Sequence, residues 1–223
     1  MSRSILVIGE SGTGKSRSLK RLNPEETFLF NIIGKDLPFQ GWRKGYTSYN
    51  KETGKGNMLT THNPSTLLKG IELVSKLPYK NIVFDDFQYV MSYEFMSRAT
   101  ERGYDKFSEI AQNTWNIIKT AQLIPDKNII FLAHSEEVYA DGYKKSKIKT
   151  IGKLLDEKIT VEGMFTVVLQ STIIIEEDKT KYVFVTQSDG TSTVKTPEGM
   201  FGSKYIENDL QTVLERMEEY ANE

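Results

Sequence analysis

Eight consecutive residues constrain this chain more than any others. Gly9-Glu10-Ser11-Gly12-Thr13-Gly14-Lys15-Ser16 satisfies G-x-x-x-x-G-K-[ST] directly after the continuously apolar run Ser4-Ile5-Leu6-Val7-Ile8. That run suits a central strand of a parallel sheet covered on both faces, and a helical stretch is expected to start near Lys15. Glycines allow backbone turns closed to other residues, so successive N–H groups of Thr13 to Ser16 can point inward at a phosphate chain beside a helix N-terminus. Phosphate or nucleotide contacts are therefore expected from Glu10, Ser11, Gly12, Thr13, Gly14, Lys15, Ser16 and Arg17. Lys15 is suited to neutralise the β- and γ-phosphates of ATP. The Ser16 hydroxyl is suited to ligate Mg²⁺, which prefers oxygen donors and retains several waters.

The rest of the chain offers similar short apolar runs. Residues 27–33 (TFLFNII), 81–84 (NIVF) and 128–133 (NIIFLA) read as three more buried strands. Between them, Asn63-Pro64 opens a helical segment through Lys76, with Leu67, Leu68, Ile71 and Val74 on one face, and Tyr104 to Leu123 carries a second apolar stripe. Strand and helix alternate, which predicts an α/β fold with right-handed crossovers. The run Asn81 to Phe84 ends in Asp85 and Asp86. In P-loop proteins a carboxylate at the end of a strand beside the first holds Mg²⁺ through water, and Asp85 stands there. Asp86 could polarise the attacking water, although its arm is short for that task. His134 closes the run NIIFLAH, where a polar side chain can hydrogen-bond the γ-phosphate or its attacking water and report hydrolysis to the following loop. A histidine that only caps the strand is the competing reading.

Beyond Glu162 the pattern changes. Residues 165–176 and 181–187 flank the polar turn Glu177-Asp178-Lys179-Thr180 as a hairpin, and Ile206 to Tyr220 reads as an amphipathic terminal helix with Leu210, Val213, Leu214 and Met217 inward. A single domain over residues 1–223 is expected, with a core over 1–165 and the hairpin and helix over 166–223. The 29 Lys plus Arg against 30 Asp plus Glu give a net charge of -1, which excludes a globally basic coat and leaves only focal contacts with nucleic acid. The absence of cysteine excludes disulfides, thiolate nucleophiles and Cys-based zinc sites, and fits a reducing cytosol. No apolar run has membrane-spanning length and the first twenty residues lack a signal-peptide pattern, so a cytoplasmic location without membrane contact is expected.

With both phosphate motifs placed, the chain resembles the small phage-encoded RecA-like ATP-binding proteins that serve recombination and single-strand annealing. The residues carrying this are GESGTGKS at 9–16, NIVFDDF at 81–87, the stretch from Glu94 to Phe107, FLAHSEE at 131–137 and VKTPEGMF at 194–201. The resemblance implies a mostly parallel RecA-like sheet flanked by helices, ATP with Mg²⁺, and a homo-oligomeric ring or filament in a bacterial host cytoplasm. It also implies single-stranded DNA and a single-strand DNA-binding protein as partners. RecA-like folds place a cationic residue after a late hairpin, where it reaches the nucleotide of the neighbouring subunit, and Lys195 matches that order; an exposed lysine in a turn is the alternative. One departure stands out: RecA-like enzymes carry a catalytic glutamate at the end of the strand after the P-loop helix, whereas this chain has Asn31 there and Asp36 nearby.

The segment 141–153 carries Tyr143, Lys144, Lys145, Lys147 and Lys149 directly after the His134 strand, where RecA-like proteins place a DNA-binding loop. Lysines interleaved with an aromatic ring suit backbone neutralisation plus base stacking, while a solvated surface loop is the plainer alternative. Three functions follow: a nucleic-acid-dependent ATPase, a nucleotide or small-molecule kinase, and a non-catalytic module that switches a partner. A kinase usually closes an arginine-rich lid over the phosphates, and the candidate lid 141–153 has no arginine. The missing glutamate favours the switch module.

Overall fold

The computed structural model describes residues 2–140 and 143–223, and the side chains of Ala140, Tyr143 and Asp156 lie outside that description. Nine strands are formed among these residues: β1 (Arg3–Gly9), β2 (Thr27–Asn31), β3 (Met58–Thr60), β4 (Asn81–Asp85), β5 (Asn128–Ala140), β6 (Tyr143–Ile148), β7 (Val167–Glu176), β8 (Lys179–Val185) and β9 (Tyr205–Glu207). The α-helices are α1 (Trp42–Gly45), α2 (Pro64–Ser75), α3 (Tyr89–Ser97), α4 (Asp105–Gln122) and α5 (Leu210–Asn222). The sheet order is β3-β2-β4-β5-β1-β7-β8-β9, parallel from β3 to β7 and antiparallel beyond. This is the α/β architecture with a mostly parallel sheet that the motif and the strand–helix alternation predict.

The strand bearing Asp85 is not beside β1, as the sequence reading had it: β5 lies between them. Periodicity in one chain says which segments are strands but carries nothing about their lateral order, so this had to come from packing.

Each central strand is buried on both sides because its alternate side chains enter two separate cores. Leu6, Ile8, Phe28, Phe30, Phe84 and Phe131 face the layer of α2 and α4, while Ile5, Val7, Leu29, Val83, Ile130 and Leu132 face α5 and the segment after the glycine-rich turn. Register is pinned by aromatic rings. Phe30 pairs with Phe84 and Phe84 with Phe131 across adjacent strands, and their rings stack at centroid distances of 4.6 and 4.5 Å with interplanar angles of 3° and 6°.

The helical stretch expected near Lys15 is a short 3-10 helix over Ser16–Arg21. Three local expectations change. The hairpin turn is two residues, Glu177-Asp178, with φ of 49° and 60°; positive φ at both positions matches the twist of the flanking strands and lets Lys179 and Thr180 join β8. The last helix starts at Leu210, because Asp209 caps it by accepting from the Gln211 N–H, and Ile206 belongs to β9. Tyr143, Lys144, Lys145 and Lys147 lie not in a loop but in β6, antiparallel to the outer half of β5, with only Lys149 beyond the strand; Asp141 and Gly142 lie outside the described residues. β7 pairs in parallel with β1 before turning back, so the carboxy-terminal portion continues the central sheet.

Candidate functional site

β1 ends at Gly9, and the chain then turns back on itself through Gly12 and Gly14, whose φ values are 81° and 100°. Gly14 is needed twice over: its φ is open mainly to glycine, and a Cβ there would sit 2.8 Å from Tyr182 Cδ1 and 3.0 Å from Asn208 Oδ1. The turn is braced from behind by Ser171 Oγ, which donates to the Thr13 carbonyl at 2.7 Å and accepts from Asn208 Nδ2 at 2.9 Å. A neighbouring strand and a carboxy-terminal residue thus hold the loop that the motif predicts.

Lys15 is buried and donates to the carbonyls of Gly9 and Glu10, both at 2.8 Å, and burial lowers its pKa to about 8. Ser16 Oγ donates to Asp85 Oδ1 at 2.8 Å across 69 positions of sequence, which brings the two phosphate motifs into direct contact. Asp85 is fully buried, and its pKa is pushed up to about 6 by that burial and then by Asp86 beside it. Its Oδ2 is buried without a hydrogen-bond partner among the described residues. A paired hydroxyl and an unsatisfied carboxylate oxygen are hard donors suited to Mg²⁺, so the residues fit that ion. Among the described residues no group of three or more His, Asp or Glu could cage a metal, so phosphate oxygens and water would complete the coordination.

Asp86 adopts φ 61° and is 1% exposed. Its carboxylate meets the Lys35 ammonium and lies 3.5 Å from His134 Nε2. Burial works against its charge, but the neighbouring His134 and the Lys35 ammonium outweigh that and hold it below the usual carboxylate range. His134 sits opposite Gly9 in the β1–β5 register, and its N–H donates to Gln88 Oε1 at 3.0 Å. Around these groups opens a cavity of about 330 Å³ whose walls include Lys15, Ser16, Lys35, His134 and Tyr182. A second hollow of about 590 Å³ adjoins it: Arg17 and Tyr182 line both, with the guanidinium 5.0 Å from the ring centroid.

Residues 1–197 match the AAA_24 family model, an AAA domain. The chain belongs to this family. No curated protein matches it. Among solved structures, it is similar to the KaiC-like protein PH0186 of the hyperthermophilic archaeon Pyrococcus horikoshii OT3, at 16% identity over 82% of this chain and 77% of that one, with a TM-score of 0.50. It is also similar to the flagellar accessory protein FlaH of Methanocaldococcus jannaschii, at 16% identity over 82% and 76% of the two chains, with a TM-score of 0.44. The first of these likenesses is one of fold, that of RecA-like P-loop NTPases. Family, motif and fold make this AAA domain an ATP-binding P-loop ATPase.

The site of this AAA domain gathers Ser11, Gly12, Gly14, Lys15, Ser16, Arg17 and His134 around one cavity, with Asp85 and Asp86 behind them. Lys195 is elsewhere: its backbone is bonded to Val168 in both directions, and Val168 lies opposite Leu6, three residues before the Gly9 end of β1. Lys144 pairs with Glu137 at 2.5 Å and Lys147 approaches Glu136 at 3.9 Å. Sequence reasoning missed Lys35, Gln88 and Tyr182. Lys35 lies beside the Asp36 that attracted notice, but Asp36 is bound by Arg43 on the surface while Lys35 turns toward the buried acid. No residue pattern near Tyr182 ties it to the glycine-rich turn, since they meet only because β7 folds back beside β1. No helix of the described residues is long and apolar enough to cross a membrane.

Proposed function

We propose that the chain binds Mg²⁺·ATP at the glycine-rich turn and hydrolyses it in a single-stranded-DNA-dependent manner, in phage DNA recombination or single-strand annealing. The observation that carries the nucleotide half is the Ser16 Oγ to Asp85 contact with Asp85 Oδ2 left unsatisfied beside it. Ser16 and Asp85 would hold Mg²⁺, which screens the phosphate charge and orients it. Glu10 to Arg17 would wrap the phosphates with Lys15 on the β- and γ-groups, and the nucleoside would leave the phosphate cavity past Arg17 and Tyr182 into the adjoining hollow. Asp86 and His134, 3.5 Å apart, would orient an attacking water.

What supports the DNA half is continuity. β5 is one strand of thirteen residues that carries His134 at the cavity and then runs out into the β5–β6 hairpin, where Lys149 N–H donates back to the His134 carbonyl at 2.8 Å. A change at His134 would therefore be transmitted to the strand bearing Tyr143, Lys144, Lys145 and Lys147. Two of these lysines already face glutamates, so DNA phosphate would have to compete for them. Lys195 would act in trans across a subunit contact in a ring or filament, with a single-strand DNA-binding protein as a further partner.

ATP turnover measured with and without single-stranded DNA tests the reading. Stimulation by DNA supports it. Phosphate transfer to a small acceptor would make the chain a kinase, and tight ATP binding without turnover would make it a switch module. Asn31 at the end of β2 favours that last outcome, because its amide is bonded to its own loop through the Lys35 carbonyl and the Gly34 N–H and offers no base.

A further inference from the structure

Lys35 is positioned with unusual care for a lysine on a turn. Asn31, the last residue of β2, donates from Nδ2 to the Lys35 carbonyl at 2.8 Å and accepts the Gly34 N–H at 3.0 Å, and Gly34 takes φ 71° to close the bend. A buried amide therefore fixes the backbone from which Lys35 projects. The side chain is 41% exposed at the mouth of the 330 Å³ cavity, while its ammonium meets the buried carboxylate of Asp86. Lys35, Lys15, Ser16 and His134 line the same space.

A cation half in solvent and half on a buried acid can change partners without unfolding anything. Asp86 offers one negative charge and retains His134 as a second neighbour when the lysine leaves. A terminal phosphate carries about −1.5 to −2 charge near pH 7 and three acceptor oxygens, so in the same cavity it outbids a lone carboxylate for the ammonium. ADP has no γ-phosphate, and its own terminal group, the β-phosphate, would lie one position back, in the glycine-rich turn at Lys15.

Resting on the ATP reading above, we propose that Lys35 is a γ-phosphate ligand that exchanges partners: Asp86 in the nucleotide-free and ADP-bound protein, the terminal phosphate when ATP is bound. Asn31 is then a positioning residue for this lysine.

Calorimetry with Mg²⁺ and either ADP or the non-hydrolysable analogue AMP-PNP tests the exchange without relying on turnover. Lys35→Met is expected to weaken AMP-PNP by about tenfold or more while ADP affinity stays within about twofold, the loss of one charge-assisted bond to phosphate. Lys35→Arg restores the preference. Asp86→Asn, which releases the lysine from its resting partner, is expected to tighten AMP-PNP relative to ADP. A purely structural ion pair gives the opposite pattern, with both single variants weakening both nucleotides alike, and that result overturns the proposal. If Lys35→Met fails to fold because Asp86 is left unpaired, the double variant with Asp86→Asn is compared with Asp86→Asn alone; an unchanged ratio of the two affinities overturns the proposal, and a lowered one supports it. If the wild-type chain binds neither nucleotide, the ATP reading itself fails, an outcome distinct from the failure of the exchange.

Discussion

Lys15 and Asp85 both sit where burial disfavours their charge, which lowers the lysine to about 8 and raises the acid to about 6. Such groups gain most from a ligand of opposite sign, which is why Lys15→Ala is expected to reduce ATP turnover on the order of 10²-fold or more, measured as phosphate release at saturating ATP. Unchanged turnover would remove Lys15 from the site. Tyr46 tests a different residue-level effect. Burial pushes its phenol up to about 12 from 10, so the fold favours the neutral form. The sign follows: below pH 10 neither state ionises and the contribution is fully present, whereas between 10 and about 12 the unfolded chain loses its proton first and stability falls. The loss reaches about 2 to 3 kcal/mol by pH 12. Tyr46→Phe is expected to flatten that alkaline slope in urea unfolding, and an identical slope in both proteins would refute it. At this scale the glycine-rich motif announced its own residues, because the chemistry of phosphate wrapping needs those types in consecutive positions. Lys35 did not announce itself, because a lysine after a glycine looks the same whether it faces solvent or a buried acid.

At the scale of elements, the ring ladder across β2, β4 and β5 predicts that Phe84, in contact with aromatic neighbours on both sides, is the costliest of the three to truncate. Phe84→Ala should destabilise by about 3 to 5 kcal/mol in denaturant unfolding, from lost transfer energy plus the cavity left behind; a loss below about 1 kcal/mol would mean that the stack does not brace the sheet. The β7–β8 turn makes the opposite prediction. Glu177 holds positive φ without being a residue type that favours it, and Asp178 does so where glycine is freer still, so Asn-Gly in their place should stabilise by about 0.5 to 1 kcal/mol, read as a rise in Tm. Strand and helix positions were legible for β1, β2 and β4 from continuous apolar runs, and for α2 and α4 from apolar side chains at helical spacing. β3, β6 and β9 were not, since three residues at a sheet edge or a lysine-rich strand on a hairpin carry no apolar period. The identity of residues 143–148 as a strand comes from backbone pairing with β5, a contact that no local propensity reports.

For the molecule as a whole, a ligand that binds only the folded chain must stabilise it by mass action. Mg²⁺·ATP at about 100 times its Kd should add about 2.7 kcal/mol to unfolding, seen as a nucleotide-dependent rise in Tm that Lys15→Ala abolishes. No shift in the wild-type protein would contradict the site. Single-stranded DNA should raise ATP turnover, and replacing Lys145 and Lys149 by Gln should weaken DNA binding and flatten its dependence on salt. What could be read along the chain was local: an apolar strand, a phosphate-wrapping turn, two acids closing another strand, a cysteine-free composition, and from their alternation an α/β sheet. Those features depend on neighbours within a few positions, so residue order suffices to reveal them. The lateral place of β5 between the two phosphate motifs, the Ser16–Asp85 contact, the bracing of the turn by Ser171 and Asn208 and the approach of Lys35 to Asp86 all join residues far apart in the chain. They arise when the strands choose partners and the cores close on the sheet, because register and burial are properties of the packed chain and not of any segment of it.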